Sequence, residues 1–352
     1  MRRLLLLILL SFLAHGLILS QTVYPSGIQG CLARWTFTCD PAVPLGPVLD
    51  HSGNGEHGTG YDVLCDTGFN HTPYSAARFN GTSSYIQVPY SGNLAPANIS
   101  VFVVIKFDGF WAGNCQGNNL IYNGFNYNAS QNWAFFVTDG SYDQNCNAFN
   151  PTKEKANFSV PNFVNNGIPN GDYIETGKWY LLGCTYNGSL INYYQIELDT
   201  SNLLLAILPS YSVACNTPIG NSPYPVLLGA TQNPPFPYWV NGVYDEAVIF
   251  NHALSNLEIK SLYDYIIGNS LIASGLSENA WPDYSVSVDG RTIRLSRDHP
   301  ARQVQVWTLS GQLIYRQLGN GTFSLDQFPS QVVLIRLTLD DGNTAVQKVL
   351  LR

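Results

Sequence analysis

The sequence predicts an all-β protein folded as an antiparallel sandwich or barrel, and three observations predict it. Charged residues are only 12% of the 352 residues, whereas Gly, Pro and Tyr number 31, 20 and 21. Helix-forming charged residues are too few for a bundle, and Gly and Pro punctuate a chain rich in turns. Short β-branched and aromatic runs recur between those turns. A hairpin signal also lies between two of the runs, at Tyr186-Asn187-Gly188-Ser189-Leu190, because Asn-Gly readily takes positive φ at both turn positions. A hydrophobic share of 45% argues against disorder, and a net charge of −7 does not suit a nucleic-acid partner.

The elements follow in order. Met1–Ser20 begins with Arg2 and Arg3 and continues as a Leu/Ile-rich run broken by Ser11, His15 and Gly16. This is the pattern of a secretory leader, with cleavage expected after Ser20. No later segment holds ~20 continuous apolar residues, so no transmembrane segment is expected after its removal. Strands are expected at Tyr85–Val88, Ile99–Phe107, Trp133–Val137, Lys178–Tyr186, Leu190–Leu198 and Val243–Phe250. Ile99–Phe107 is apolar almost throughout, which suits burial on both faces. Ser255 with Glu258 forms a capping box, and Ile259, Leu262, Tyr263 and Ile266 follow at helical spacing. One short amphipathic helix should therefore lie against the sandwich.

Charge divides the chain. Residues 21–282 hold 7 Lys and Arg against 18 Asp and Glu, whereas residues 283–352 hold 8 against 6. The small, polar stretch 268–282 reads as a linker. The expected organisation is a leader at 1–20, a main domain at 21–267, the linker at 268–282 and a β-rich tail domain at 283–352. All seven cysteines lie between Cys31 and Cys215. Export makes disulfides the default reading, and an odd number leaves a thiol or a pairing between chains. Cys115 and Cys146 flank Asn/Gly-rich loops and are the candidate staple. Cys184, within an apolar strand pattern, is the candidate buried thiol.

Four motifs in order resemble those of laminin-G-like, concanavalin A-like jelly rolls. They are Asp50–Gly58 (DHSGNGEHG), Ala77–Pro89 (ARFNGTSSYIQVP), Trp179–Ser189 (WYLLGCTYNGS) and Gly242–Ile259 (GVYDEAVIFNHALSNLEI). The resemblance implies a two-sheet antiparallel jelly-roll sandwich that serves as a carbohydrate-binding or adhesive module. Sandwiches of this kind often carry structural calcium, and Asp245 is the metal candidate it implies. Ca²⁺ takes six to eight oxygens. His51 and His57 lie within the first motif and read as structural.

Laminarinase-type glycosidases on this sandwich carry E-x-D-x-x-E on one strand. Glu197-Leu198-Asp199 begins that pattern, but Ser201 or Asn202 stands where the third carboxylate belongs. Retaining chemistry needs two carboxyl groups about 5–5.5 Å apart, so catalysis is not expected. Sugar sites join aromatic faces to amide and carboxylate groups. Phe107–Asn150 has that mixture, and the candidate ligand residues are Trp111, Asn118, Tyr122, Tyr127, Trp133 and Tyr142. So few cations would repel rather than hold anionic polymers, so neutral glycans are expected.

The tail should form short strands at Tyr284–Val288, Thr292–Leu295, Val304–Leu309, Leu313–Arg316, Val332–Leu339 and Ala345–Leu350. Val304–Tyr315 (VQVWTLSGQLIY) resembles the type IX secretion sorting domain of Bacteroidetes, although Gln331-Val332-Val333 replaces its usual Gly-x-Tyr. This implies engagement of that secretion machinery and delivery to the extracellular or outer-membrane surface. The function expected is a non-catalytic protein binding glycan or another cell-surface polymer. A glycoside hydrolase with a degenerate acidic motif and a protein-binding adhesin are the alternatives.

Overall fold

The computed structural model describes residues 24–40, 42, 44–113, 116–124, 131–140, 153–163, 172–200, 204, 206–231 and 236–273. In the tail it describes 286–289, 292–295, 301–308, 312–319, 322–328, 332–339 and 344–350. The expected leader, Tyr127, Tyr142, Cys115 and Cys146 lie outside these residues.

In chain order the strands are β1 Cys31–Thr36, β2 Pro47–Val48, β3 Gly58–Tyr61, β4 Leu64–Asp66, β5 Ala76–Asn80, β6 Tyr85–Val88, β7 Ile99–Gly109 and β8 Asn118–Gly124. They continue as β9 Gln131–Thr138, β10 Lys155–Ser159, β11 Trp179–Tyr186, β12 Leu190–Glu197, β13 Tyr211–Ala214, β14 Val226–Leu228 and β15 Asn241–Phe250. The back sheet runs β13-β12-β11-β7-β15-β5-β4, with β1 also pairing with β15; the front sheet runs β10-β9-β8-β14-β6-β3-β2. Every pairing in both sheets is antiparallel. The all-β sandwich expected from the sequence is what forms.

The interior between the sheets holds Trp35, Phe79, Val101, Val103, Ile105, Trp133, Phe135, Phe158 and Tyr244. Phe102 and Val104 of β7 alternate to the outer side of the back sheet, where they meet Leu181, Tyr194 and Val248. Helix α1, Asn256–Ala273, covers that layer with Ile259, Leu262, Tyr263, Ile266 and Ile267. The continuous apolar run of β7 is thus explained by burial on both faces. Gly183 stands opposite Phe102, and a Cβ there would lie 2.0 Å from the Phe102 ring.

The capping box is reciprocal. Ser255 N donates to Glu258 Oε2 at 2.8 Å, and Glu258 N donates to Ser255 Oγ at 3.3 Å. The helix takes in Gly268–Ala273, the first part of the stretch read as linker. Gly268 and Asn269 are weak helix formers, but each further residue adds a backbone hydrogen bond, and no proline intervenes before Pro282. At the hairpin only Gly188 has positive φ, +86°. Asn187 acts instead through its carboxamide oxygen, which accepts from Ser189 N and Leu190 N at 3.0 and 2.9 Å.

Cys39 pairs with Cys65, while Cys31, Cys184 and Cys215 are buried thiols. The tail forms a three-stranded sheet, β16 Val286–Asp289, β17 Thr292–Leu295 and β20 Thr322–Ser324, and a four-stranded one. The latter contains β18 Ala301–Thr308, β19 Leu313–Leu318, β21 Val332–Leu339 and β22 Thr344–Leu350. Val304, Val306, Ile335 and Leu337 make its own core, whereas Trp307 joins the apolar layer beneath α1. Arg336 Nη1 donates to Thr200 O at 2.6 Å.

A buried ion pair joins β1 to β15. Arg34 Nε and Nη2 donate to the Glu246 carboxylate at 2.9 and 3.3 Å. The rings of Tyr24 and Tyr265 lie 5.2 and 5.7 Å from the guanidinium. Arg34→Ala leaves Glu246 buried without its counter-charge and should destabilise the fold by about 3–5 kcal/mol. Urea unfolding checks this, and Arg34→Lys should recover only part of the loss because an ammonium lacks the planar fork.

Candidate functional site

One end of the sandwich opens into a cleft of about 910 Å³. Its floor is made by the ends of three back-sheet strands, through Gly109 and Phe110 after β7, Tyr180 of β11, and Gln195 and Glu197 of β12. Gln195 and Glu197 reach it together because alternate side chains share a strand face. Its wall is the strap Asp172–Thr176.

The strap is held at several points. Ile174 N donates to Glu154 O at 2.9 Å, and Gly177 N, at φ +81°, donates to Phe107 O at 2.8 Å. Tyr180 Oη accepts from Glu175 N at 3.1 Å, which fixes one aromatic ring. Gln195 reaches both ways: Nε2 donates to Asp172 O at 2.9 Å, and Oε1 accepts from Ala156 N at 2.7 Å. It therefore ties the strap and the edge strand β10 of the front sheet to the back sheet.

The electrostatics of the cleft are acidic but partly compensated. Lys178 Nζ lies 3.2 Å from both Glu175 and Glu197. Hydrogen bonds to Glu197 and Glu175 hold its ammonium above the usual value. Lys155 Nζ lies 4.9 Å from the centre of the Tyr173 ring and 5.9 Å from that of Tyr211. Burial pushes this lysine down, and the charge of Asp172 opposes the shift. A second recess of about 400 Å³ shares Gln195 and Glu197 and extends past Asp199 to Leu208 and Ser210. The two recesses adjoin at Gln195 and Glu197 of β12, and this groove bears Phe110 and Tyr173 beside carboxylate, amide and hydroxyl groups, while Tyr180 is 5% exposed and packs in the core.

Of the ligand residues expected from sequence, the four that are described fall elsewhere. Trp111 is half-buried, its ring 5.3 Å from that of Tyr238 in an edge-to-face contact, and its backbone N donates to Asn118 Oδ1 at 2.8 Å. Asn118 is fully buried, and Tyr122 is buried with Ala134 and Phe136. Trp133 is corrected to a core residue: it is fully buried between the sheets, and its Nε1 donates to Leu94 O at 2.8 Å. The physical reason is strand alternation, which sends Trp133, Phe135 and Val137 inward together.

The first motif is a turn built around a carboxylate. Asp50 accepts from Arg34 N, Ser52 N and Glu56 N at 2.9, 2.8 and 3.0 Å. Burial alone would raise its pKa, but these N–H donors hold it below the usual value. His57 Nδ1 accepts from Asp50 N at 2.9 Å.

Asp245 does not fit a calcium ion. Its Oδ1 accepts from Phe69 N at 3.2 Å. Glu246 beside it serves Arg34, and no group of three His, Cys, Asp or Glu gathers anywhere among the described residues. The six to eight oxygens of a calcium shell are not assembled there. The missed strap had one legible signal, the polar alternation Gln195-Ile196-Glu197. That alternation marks a solvent-facing row on β12.

No family model matches the chain, and no curated protein does. Solved structures with some likeness are sandwiches of diverse roles. Domain 4 of AbnA, an extracellular arabinanase from Geobacillus stearothermophilus, is 16% identical with a TM-score of 0.45, over 66% of this chain and 99% of that domain. Trypanosoma rangeli sialidase is 12% identical with a TM-score of 0.41, over 66% of this chain and 32% of the sialidase. The receptor binding domain of botulinum neurotoxin mosaic serotype C/D is 13% identical with a TM-score of 0.39, over 91% and 72%. At these scores they bear on neither the activity nor the ligand of the present chain.

Burial, with the nearby Glu246 charge, pushes Asp245 up to about 7 from 3.8, against the Phe69 N–H and Arg34. Over that interval the folded chain binds more protons than the unfolded one, so stability falls as pH rises. Asp245→Asn should flatten that fall by about 1.4 kcal/mol per pH unit. Urea midpoints across the interval check it.

Proposed function

We propose that the chain is an exported, non-catalytic module that binds neutral glycan in the groove along β12. One observation carries the reading: Phe110 and Tyr173, both half-exposed, line the same cleft as Thr176, Gln195 and Glu197. Aromatic faces pack on sugar C–H groups, and the polar groups hydrogen-bond hydroxyls. Asp172, Glu175 and Glu197 outnumber the nearby ammonium groups, which disfavours sulfated and uronate chains. Export rests on the leader pattern of residues 1–20 and the sorting-domain resemblance of 283–352, and the Cys39–Cys65 disulfide supports it. Outer-membrane surface delivery through the type IX machinery belongs to the same proposal.

The absence of catalysis is supported by Lys178. Its ammonium contacts two of the three carboxylates of the cleft, Glu175 and Glu197, so neither of these stands ready to protonate a glycosidic oxygen. Titration calorimetry should show binding of neutral oligosaccharides in preference to sulfated ones. Tyr173→Ala should weaken it about tenfold, a change of about 1.4 kcal/mol. Reducing-sugar release should be absent; turnover that disappears in Glu197→Gln would make the protein a hydrolase. Binding confined to protein partners would make it an adhesin.

A further inference from the structure

The tail's four-stranded sheet presents two faces. Val304 and Val306 of β18 and Val333, Ile335 and Leu337 of β21 point one way and, with Phe323 and Leu325, make the tail's own core. Gln305, Trp307 and Arg336 alternate to the other face, and the register sets Gln305 opposite Arg336. A tail standing alone would leave these three side chains in water. They are instead 1%, 1% and 3% exposed. The main domain covers that face at two points. Trp307 belongs to the apolar layer that holds Leu198, Ile207 and Tyr263, and Leu313 of β19 packs against the same layer. Arg336 Nη1 donates to Thr200 O at 2.6 Å. Burial lowers its guanidinium to about 10, and the charge of Asp199 opposes that shift.

The residues that receive the tail also shape the smaller recess of the groove. Ile196 and Ile207 line that recess and belong to the layer that takes Trp307, and Leu204 lines it and packs against the layer. Asp199 lines it too, one residue before the acceptor of Arg336. Three amides pin this wall within the main domain. Leu198 N donates to Trp179 O at 2.8 Å, Leu204 N to Tyr263 Oη at 3.2 Å and Ser210 N to Tyr193 O at 2.7 Å. The contact with the tail is one that can part. The side-chain amide of Gln305, Trp307 Nε1 and Arg336 Nε have no hydrogen-bond partner. Each such buried group carries a desolvation cost against which the apolar contacts work. Interfaces between domains of one chain are separable by default.

We propose that the tail is a releasable brace for the groove. Docked through Trp307 and Arg336, it holds the wall at Leu198, Leu204 and Ile207; its release loosens that wall and weakens binding along β12. The bracing itself needs no ligand, whereas its effect on affinity rests on the glycan reading. Coupling is reciprocal, so an oligosaccharide seated in the recess favours the docked tail by the same factor.

The test is residue-resolved hydrogen exchange on the full chain, first without ligand. In Trp307→Ala and in Arg336→Ala, exchange at Leu198, Leu204 and Ser210 should quicken about tenfold. Asn119 and Val240, whose amides donate to Tyr238 O and Gly229 O elsewhere in the sandwich, should exchange as in the wild type. Amides of β18 and β21 report whether the tail itself stays folded. Unchanged exchange at the three wall amides in both variants would overturn the brace, whether or not the tail remains folded. So would an equal quickening at Asn119 and Val240, since that is general destabilisation. Calorimetry tests the second half. A neutral oligosaccharide that binds the wild type should bind both variants about fivefold more weakly; equal affinity would overturn the link to the groove. If no oligosaccharide binds the wild type, the glycan reading fails and the exchange result alone decides the brace.

Discussion

The Arg34–Glu246 pair is the interaction on which the rest of the structure depends. β15 pairs with β7 along one edge, and its other edge is divided between β5 and β1. A strand so shared must hold its register against three neighbours. Charge pairing fixes it on the β1 side: Thr36 stands opposite Glu246, and Arg34 reaches that carboxylate from two residues away. The same guanidinium lies between Tyr24, in the segment leading into β1, and Tyr265 of α1. One cation thus joins the start of the described chain, the sheet centre and the covering helix. Removing a buried charge partner costs far more than an exposed pair contributes.

The bulge in β15 belongs to the same arrangement. The register with β7 shifts between Tyr244 and Glu246, leaving Asp245 as the extra residue. Glu246 is thereby aimed at Arg34 while Asp245 turns toward the Gly68–Phe69 backbone, where a Cβ on Gly68 would fall 1.9 Å from its Oδ1. A bulge re-aims side chains in this way without breaking the ladder. The carboxylate that the resemblance assigned to a metal is instead a packed, backbone-bonded acid.

Much of this fold was legible in the sequence because its signals are local. Tyr85–Val88, Thr292–Leu295 and Val332–Leu339 coincide with the strands that form, and the capping box at Ser255 closes as its spacing requires. The groove was less legible because it is assembled from distant parts. The strap is brought to β7 and β12 by contacts that no local pattern encodes, among them Gly177 N to Phe107 O, Gln195 to Asp172 O, and Lys178 between Glu175 and Glu197. The Cys39–Cys65 pairing was hidden for the same reason: it depends on β4 lying beside β5 at the sheet edge.

The aromatic residues show how strand alternation and backbone anchoring set which rings reach solvent. A ring on a strand follows the alternation of that strand, so Trp133 and Phe135 enter the core whatever their neighbours offer. A ring on a connecting segment is placed by whatever anchors the backbone, and the strap is anchored from β7, β11, β12 and the residue preceding β10. Tyr173 therefore stands half-exposed beside Asp172 and Lys155, with its backbone set by hydrogen bonds rather than by packing of its ring. Such a ring can meet a ligand without leaving a hole in the core, whereas Trp133 cannot. Selection by anchoring rather than by aromatic content is why the proposed binding surface lies on the 172–176 strap.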